Sequence, residues 1–195
     1  MSRARVRVGV VGCGLIAQVM HLPHLRELSE LYEVAAVCDI SAPLAERVAS
    51  DYGVEQRFQD WRDMLAGTRL DAVLLLTSGS HAPASIAASQ AGLHVFTEKP
   101  MSLSAHEGTA MVDAARAAGK QLMVGYMKRY DPAYARLQEE LATHDDVRLA
   151  KDPAQRVQLM YQAVKQHPSE GVSSWSRDIP ECLVDSLLIL GSQLR

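Results

Sequence analysis

The chain has 195 residues, of which 48% are hydrophobic and 22% are charged, a balance that excludes long disordered regions. Its formal charge of −3, without any run of lysine and arginine, argues against a nucleic-acid partner. The first apolar run is too short for a signal sequence, and none approaches the roughly 18 residues of a membrane span.

Short apolar runs alternate with helical patterns over residues 1–142. Five apolar runs, rich in Val and Leu, predict buried strands at residues 6–11, 34–38, 72–76, 94–97 and 122–126. The segments between the runs are long enough for helices, which makes crossover connections between parallel strands. The sequence therefore predicts an α/β fold for residues 1–142, a doubly wound parallel sheet of the Rossmann type.

Several predicted helices have recognisable ends. Ser41 is positioned to cap a helix that Gly53 ends. Ser104 and Glu107 have the spacing of a capping box, and Gly119 ends that helix. Another helix is predicted to begin at residues 131–132, an Asp-Pro pair.

The pattern changes over residues 143–195, which are predicted to be a short and mostly helical C-terminal segment. Near its end, apolar residues at helical spacing form a stripe wider than one surface helix buries: Leu183, Val184, Leu187, Leu188, Ile189, Leu190 and Leu194. Two such helices can cover each other in a symmetric pair. We therefore expect a homodimer, or an aggregation-prone monomer. Packing of the stripe on the dinucleotide-binding domain is the alternative.

A glycine-rich turn follows the first predicted strand. Gly12 permits the tight turn, Gly14 lets the backbone approach a diphosphate, and the small Ala17 lets the next helix pack against the strand. Leu15 and Ile16 lie within the same turn, at the positive end of the helix dipole. The pattern predicts a dinucleotide site, and a glycine turn without a ligand is the alternative.

Asp39 follows Ala17 by 22 residues, at the end of the second predicted strand, where the acidic residue of this fingerprint is expected. Its carboxylate can accept both ribose hydroxyls of an adenosine, and its charge repels a 2′-phosphate. Ile40 and the residues after it supply no arginine for such a phosphate. NAD is therefore expected rather than NADP, with a capped or solvated strand end as the alternative for Asp39.

These motifs and three later ones occur in a recognisable order: residues 10–17 (VVGCGLIA), 37–40 (VCDI), 75–81 (LLTSGSH), 98–100 (EKP) and 125–132 (GYMKRYDP). Over residues 5–142 the chain resembles the glucose–fructose oxidoreductase/inositol dehydrogenase family (Gfo/Idh/MocA). The resemblance implies an NAD(P)-dependent oxidoreductase that transfers hydride to or from a carbon of a sugar or cyclitol. It also implies that the chain is an enzyme.

The resemblance assigns roles to individual residues. It implies that Lys99 donates a hydrogen bond to the reacting hydroxyl and aids proton transfer, and that Glu98 lies near the nicotinamide ribose. Thr77 and His81 fall where the family lines the nicotinamide pocket. Two further residues are implied to face the substrate, Arg129 and Tyr130. Alternatives remain open: Lys99 in an ordinary surface turn, His81 as a helix cap, and structural roles for Arg129 and Tyr130.

The chain departs from the family pattern at several points. Ser78 and Gly79 replace the usual Pro-Asn after Thr77, and Met127 stands where asparagine is common. The family's second catalytic pair, an Asp-x-Gly-x-His pattern, has its best counterpart at residues 189–193, without the Asp or the His. We therefore expect a truncated C-terminal part. A non-catalytic dinucleotide-binding module, a partner subunit or a truncated remnant is the alternative function.

Other side chains bear on metals and on the compartment. His21 and His24 lie three residues apart with no patterned carboxylate or cysteine beside them, so no metal site is predicted. The three cysteines also lack metal-type spacing: Cys13, Cys38 and Cys182. They are typical of reduced thiols. We expect a soluble cytoplasmic protein.

Overall fold

The computed structural model describes residues 4–127 and residue 136. Six parallel strands form one sheet in the order β3-β2-β1-β4-β5-β6. The strands are β1 (Val6–Val11), β2 (Tyr32–Cys38), β3 (Gln56–Phe58), β4 (Ala72–Leu75), β5 (His94–Thr97) and β6 (Leu122–Val124). The chain winds outward from β1 to β3 and then returns to the other side of β1 with β4.

Helices connect the successive strands. They are α1 (Leu22–Glu27), α2 (Ala42–Tyr52), α3 (Trp61–Gly67), α4 (Ala82–Gln90) and α5 (Ala105–Ala118). A π-helical turn, Ala17–His21, leads directly into α1. Because parallel crossovers are right-handed, the two directions of winding place their helices on opposite faces of the sheet.

The core lies along the central strands. Val8 and Val10 in β1 are fully buried, and all of β4 is buried. Helices contribute Met64 and Ala88 to the core cluster that covers these strands. Full burial of a side chain such as Val or Leu contributes about 1.5–3 kcal/mol, so the centre of the sheet supplies much of the stability.

The described residues confirm the predicted α/β fold of the Rossmann type. The five predicted strands are present, with ends within two residues of those expected. The short edge strand β3 was not predicted. Of the helix expected from residue 131, the structure describes residue 136 alone, which is helical. The segment 143–195 lies outside the described residues. No helix in the described part is long and apolar enough to cross a membrane.

The predicted helix ends are mostly found. The Glu107 N–H donates to Ser104 Oγ at 3.2 Å, as in a capping box. The Glu107 carboxylate accepts from the Leu103 N–H at 3.0 Å, one residue before the N-cap. Ser41 stands at the start of α2, but its side chain makes no capping hydrogen bond. The predicted helix ends at Ser41 and Gly53 are therefore found, although Ser41 occupies the N-cap position without a side-chain bond; its backbone N–H donates to Asp39 Oδ1.

Candidate functional site

The carboxyl ends of four neighbouring strands are tied together at one edge of the sheet. The Gly12 N–H donates to the Cys38 carbonyl at 2.8 Å, and the Leu76 N–H donates to the Val11 carbonyl at 2.8 Å. The Glu98 N–H donates to the Leu75 carbonyl at 2.9 Å. The predicted site residues of the described part follow these strands at one edge: Gly12, Gly14, Leu15, Ile16, Ala17, Asp39, Ile40, Thr77, His81, Glu98 and Lys99. Ligands of open α/β sheets bind at this edge, where the winding reverses.

Gly12 is required by the backbone itself. Its φ is +94°, a region that side chains with a Cβ rarely adopt. A Cβ at this position would lie 2.9 Å from the Leu76 carbonyl carbon and 2.9 Å from the Thr77 nitrogen. The glycine therefore lets the first turn pack against the loop that follows β4.

Gly14 has a different role, since a Cβ there would meet no heavy atom within 4 Å. The space beside its backbone is open, as the approach of a diphosphate requires. Leu15, the next residue, is 76% exposed, whereas Ala17 is fully buried against the sheet. This arrangement fits a nucleotide in the turn.

Asp39 connects the end of β2 to the glycine turn. Its Oδ2 accepts from the Cys13 N–H at 2.8 Å, and its Oδ1 accepts from the Ser41 N–H at 2.9 Å. An ionised carboxylate has about four acceptor positions, so two remain for ribose hydroxyls. The neighbouring Ile40 is 90% exposed, an apolar surface that an adenosine can cover.

Two thiols lie beneath the glycine turn. Burial, together with the charge of Asp39, raises the pKa of Cys13 to about 12. Burial and nearby aspartates raise the pKa of Cys38 to about 11. Both thiols therefore stay protonated at neutral pH and add no negative charge where a diphosphate would bind.

Glu98 is buried, 6% exposed, and both of its carboxylate oxygens are occupied. Oε1 lies 2.9 Å from His21 Nε2, and Oε2 accepts from the Lys99 N–H at 3.1 Å. Burial raises the pKa of Glu98, but the hydrogen bond with His21 and the contacts with Lys99 outweigh it and lower that pKa overall. Glu98 is therefore held as a carboxylate.

Lys99 follows Glu98 at the exposed end of β5, and the Lys99–Pro100 peptide bond is cis. His81, 2% exposed, lies with Nδ1 3.0 Å from the Pro100 carbonyl oxygen and Nε2 2.8 Å from the Thr77 carbonyl oxygen. A neutral ring can donate to only one of these oxygens. His81 is the residue before α4, but its ring caps no helix N–H, and it joins the loop after β4 to the Lys99 turn.

Two predicted substrate residues, Arg129 and Tyr130, lie outside the described residues. The two histidines considered for a metal contact different carboxylates: His21 contacts Glu98, and His24 contacts Glu27 at 3.0 Å.

Comparison with known proteins identifies the family. A family model described as "Oxidoreductase family, NAD-binding Rossmann fold" (Gfo/Idh/MocA) matches residues 6–126. The chain belongs to this family. Residues 6–126 correspond to the family's NAD-binding Rossmann domain, as the order of the motifs indicated.

Its curated relatives include inositol dehydrogenases. Inositol 2-dehydrogenase 3 of Saccharopolyspora erythraea is 38% identical over 139 residues, which are 69% of this chain and 40% of the relative. The scyllo-inositol 2-dehydrogenase (NAD(+)) of Bacillus subtilis is 33% identical over 67% of this chain and 38% of its own length. The chain thus spans about two fifths of the length of these relatives.

Solved structures of family members match as well. The WlbA dehydrogenase of Chromobacterium violaceum, in complex with NADH and UDP-GlcNAcA, has a TM-score of 0.68 and 34% identity over 73% of this chain and 41% of that one. KijD10, a 3-ketoreductase of Actinomadura kijaniata, is in complex with TDP-benzene and NADP, with a TM-score of 0.64 and 29% identity over 71% of this chain and 42% of that one. Both nicotinamide cofactors therefore occur among the neighbours.

The sequence did not predict two residues that contact the candidate site, Gln18 and His21. Gln18 Nε2 donates to the Cys13 carbonyl at 2.7 Å and so braces the glycine turn. His21 was considered only as a metal ligand, whereas it contacts Glu98. The signal for His21 was its position between the apolar residues Met20 and Leu22, since a buried histidine needs a polar partner.

Proposed function

We propose that the protein is an NAD-dependent oxidoreductase that transfers hydride to or from a hydroxyl-bearing carbon of a sugar-like or cyclitol-like substrate. The observation that carries the proposal is the meeting of three features at one edge of the sheet. These are the open space beside Gly14, the Asp39 carboxylate on the glycine turn, and the Glu98–Lys99 turn. The names of the inositol dehydrogenase relatives support the substrate class.

The first half of the site holds the dinucleotide. The turn at Gly14 leaves room for the diphosphate, and helical residues run from position 15 to position 27, so their dipole favours the negative charge. Asp39 accepts from the adenosine ribose with the acceptor positions that the turn leaves free. Leu15 and Ile40 are exposed and offer apolar surface to the nucleotide.

The second half of the site carries the chemistry. When bound, the nicotinamide accepts or supplies the hydride. Lys99 donates a hydrogen bond from Nζ to the reacting oxygen and exchanges a proton with it, because an alcohol loses its hydroxyl proton as it becomes a carbonyl. Glu98 would hold the nicotinamide ribose, and Thr77 and His81 would border the same end of the site.

Asp39→Ala should weaken NADH binding by about ten- to a hundredfold, a net loss equivalent to one hydrogen bond to a charged group, about 1.5–3 kcal/mol. NADPH should lose far less, since its 2′-phosphate is repelled by the native carboxylate. Calorimetric titration with both nucleotides measures the two changes. Equal losses would show that Asp39 does not discriminate between them.

Asp39→Asn is the matched control for the turn itself. Asparagine keeps one acceptor for the Cys13 or Ser41 N–H but removes the charge. NADH affinity should fall by about tenfold, the loss expected when a charged acceptor becomes neutral. NADPH affinity should stay the same or rise. An Asn variant that loses both nucleotides as fully as Asp39→Ala would argue that support of the turn is the whole effect.

We also propose that the protein is a homodimer, formed through the apolar stripe that contains Leu187 and lies outside the described residues. The support is the sequence pattern, because seven apolar side chains at these positions need cover. Leu187→Asp should change the mass measured by light scattering and leave NADH affinity within about twofold. A monomeric wild type whose mutant has the same mass and stability would overturn this assignment.

A further inference from the structure

The contact between His21 and Glu98 joins two parts of the site that are 77 residues apart in sequence. His21 ends the π-helical turn after the glycine loop, and Glu98 begins the turn that presents Lys99. We infer that His21 is a positioning residue for Lys99, acting through Glu98. The inference rests on the proposed role of Lys99 at the nicotinamide end.

His21 has one polar contact among the described residues, and it is directed at Glu98. Its side chain is fully buried, Nε2 lies 2.9 Å from Glu98 Oε1, and Nδ1 has no hydrogen-bond partner in the described part of the chain. A ring with its proton on Nε2 donates to the carboxylate and leaves no buried N–H unpaired. The ring also packs edge-on against Phe96 of β5, with centroids 5.3 Å apart, which fixes its plane.

The carboxylate then transmits this placement to Lys99. With Oε1 held by His21, Oε2 is fixed where it accepts from the Lys99 N–H at 3.1 Å. On the far side of Lys99, His81 contacts the Pro100 carbonyl oxygen at 3.0 Å. The Lys99 N–H is therefore linked through Glu98 to one buried imidazole, and the next residue, Pro100, contacts a second. The exposed Lys99 side chain extends from this backbone.

His24 provides a matched comparison on the same helical segment. It is also buried, 6% exposed, and its Nδ1 also contacts a carboxylate, Glu27 Oε2, at 3.0 Å. The Glu27 side chain is 67% exposed and lies on α1 itself. Substitution of either residue removes a buried histidine and its contact with a carboxylate. Of the two, only His21 contacts the Lys99 turn, so His24 serves as the control.

The test uses the full chain with His21→Leu, His21→Gln and His24→Leu. Leucine fills the site without a donor, whereas the glutamine amide can donate to Glu98 in place of Nε2. Amide hydrogen exchange by NMR compares the Lys99 N–H with the Leu76 N–H, which donates to Val11 in the sheet. Titrations with NADH and with ADP-ribose, which lacks the nicotinamide, report the two halves of the site.

We expect His21→Leu to speed exchange at Lys99 by about tenfold and to weaken NADH binding by a similar factor, the loss expected of one hydrogen bond to a charged group. Exchange at Leu76 and ADP-ribose affinity should stay within about twofold. His21→Gln should restore both values, and His24→Leu should leave both unchanged.

Three results would overturn the inference: unchanged exchange at Lys99 in His21→Leu, equal acceleration at Leu76, or a glutamine variant as impaired as the leucine variant. A wild-type chain that binds neither NADH nor ADP-ribose would instead refute the proposed function. The exchange comparison needs no nucleotide, so it still decides whether His21 positions the Lys99 turn.

Discussion

Gly14→Val should abolish measurable NADH binding and leave the fold intact. The valine side chain would occupy the open space through which a diphosphate reaches the backbone, where a Cβ meets no protein atom within 4 Å. Losing two hydrogen bonds to a charged phosphate corresponds to at least a hundredfold loss of affinity. Fluorescence titration measures the binding, and circular dichroism with thermal unfolding measures the fold.

Gly12→Ala is the contrasting variant in the same turn. Its Cβ would lie 2.9 Å from backbone atoms that cannot move aside, and its φ of +94° disfavours any side chain. Overpacking of this kind costs about 1–3 kcal/mol, so this variant should unfold at a lower temperature even without nucleotide.

Micromolar NADH binding by Gly14→Val would show that the glycine turn is not the diphosphate site.

Much of the sheet was predictable because its strands are buried on both faces. Such strands are near-continuous apolar runs, here rich in Val, and this pattern needs no knowledge of tertiary contacts. The predicted bounds of β1 and β5 agree with the structure residue by residue. Where burial is partial, as in β6, the predicted end at residue 126 was two residues too late.

The edge strand β3 escaped prediction for the opposite reason. Its residues are Gln, Arg and Phe, and the first two are exposed. What makes it a strand is backbone pairing with β2, from Ala36 opposite Gln56 to Cys38 opposite Phe58. Backbone hydrogen bonds do not depend on side-chain type, so the sequence carries little signal for such a strand.

The candidate site divides in the same way. Residues that follow strand ends were predictable as a group, since parallel topology brings the carboxyl ends of the strands to one edge. The contacts among them were not, because His21 and Glu98 come from distant segments, and their meeting depends on how the π-helical turn that ends at His21 packs against Phe96 of β5. The two bonds from Asp39 to the Cys13 and Ser41 N–H groups likewise required the folded turn.

Lys99→Met should lower the rate of NAD reduction with a cyclitol substrate by about a hundred- to ten-thousandfold, the usual contribution of a positioned proton-transfer group. Methionine keeps the length and packing of the side chain but has no N–H donor. NADH affinity should fall by no more than about tenfold, because the glycine turn and Asp39 hold most of the dinucleotide. Stopped-flow measurement of NADH formation, with myo-inositol as the first substrate, gives the rate.

Lys120→Met is the control. Lys120 precedes β6 and so lies at the amino ends of the strands, whereas the site lies at their carboxyl ends. This control variant should react at the wild-type rate. A Lys99→Met variant that also reacts at the wild-type rate would remove Lys99 from the chemistry, while the nucleotide assignment would stand on the Gly14 and Asp39 variants. A wild-type chain that binds NADH but reduces no NAD with any polyol would favour a dinucleotide-binding module. In that case the nucleotide site is intact, and Lys99 transfers no proton.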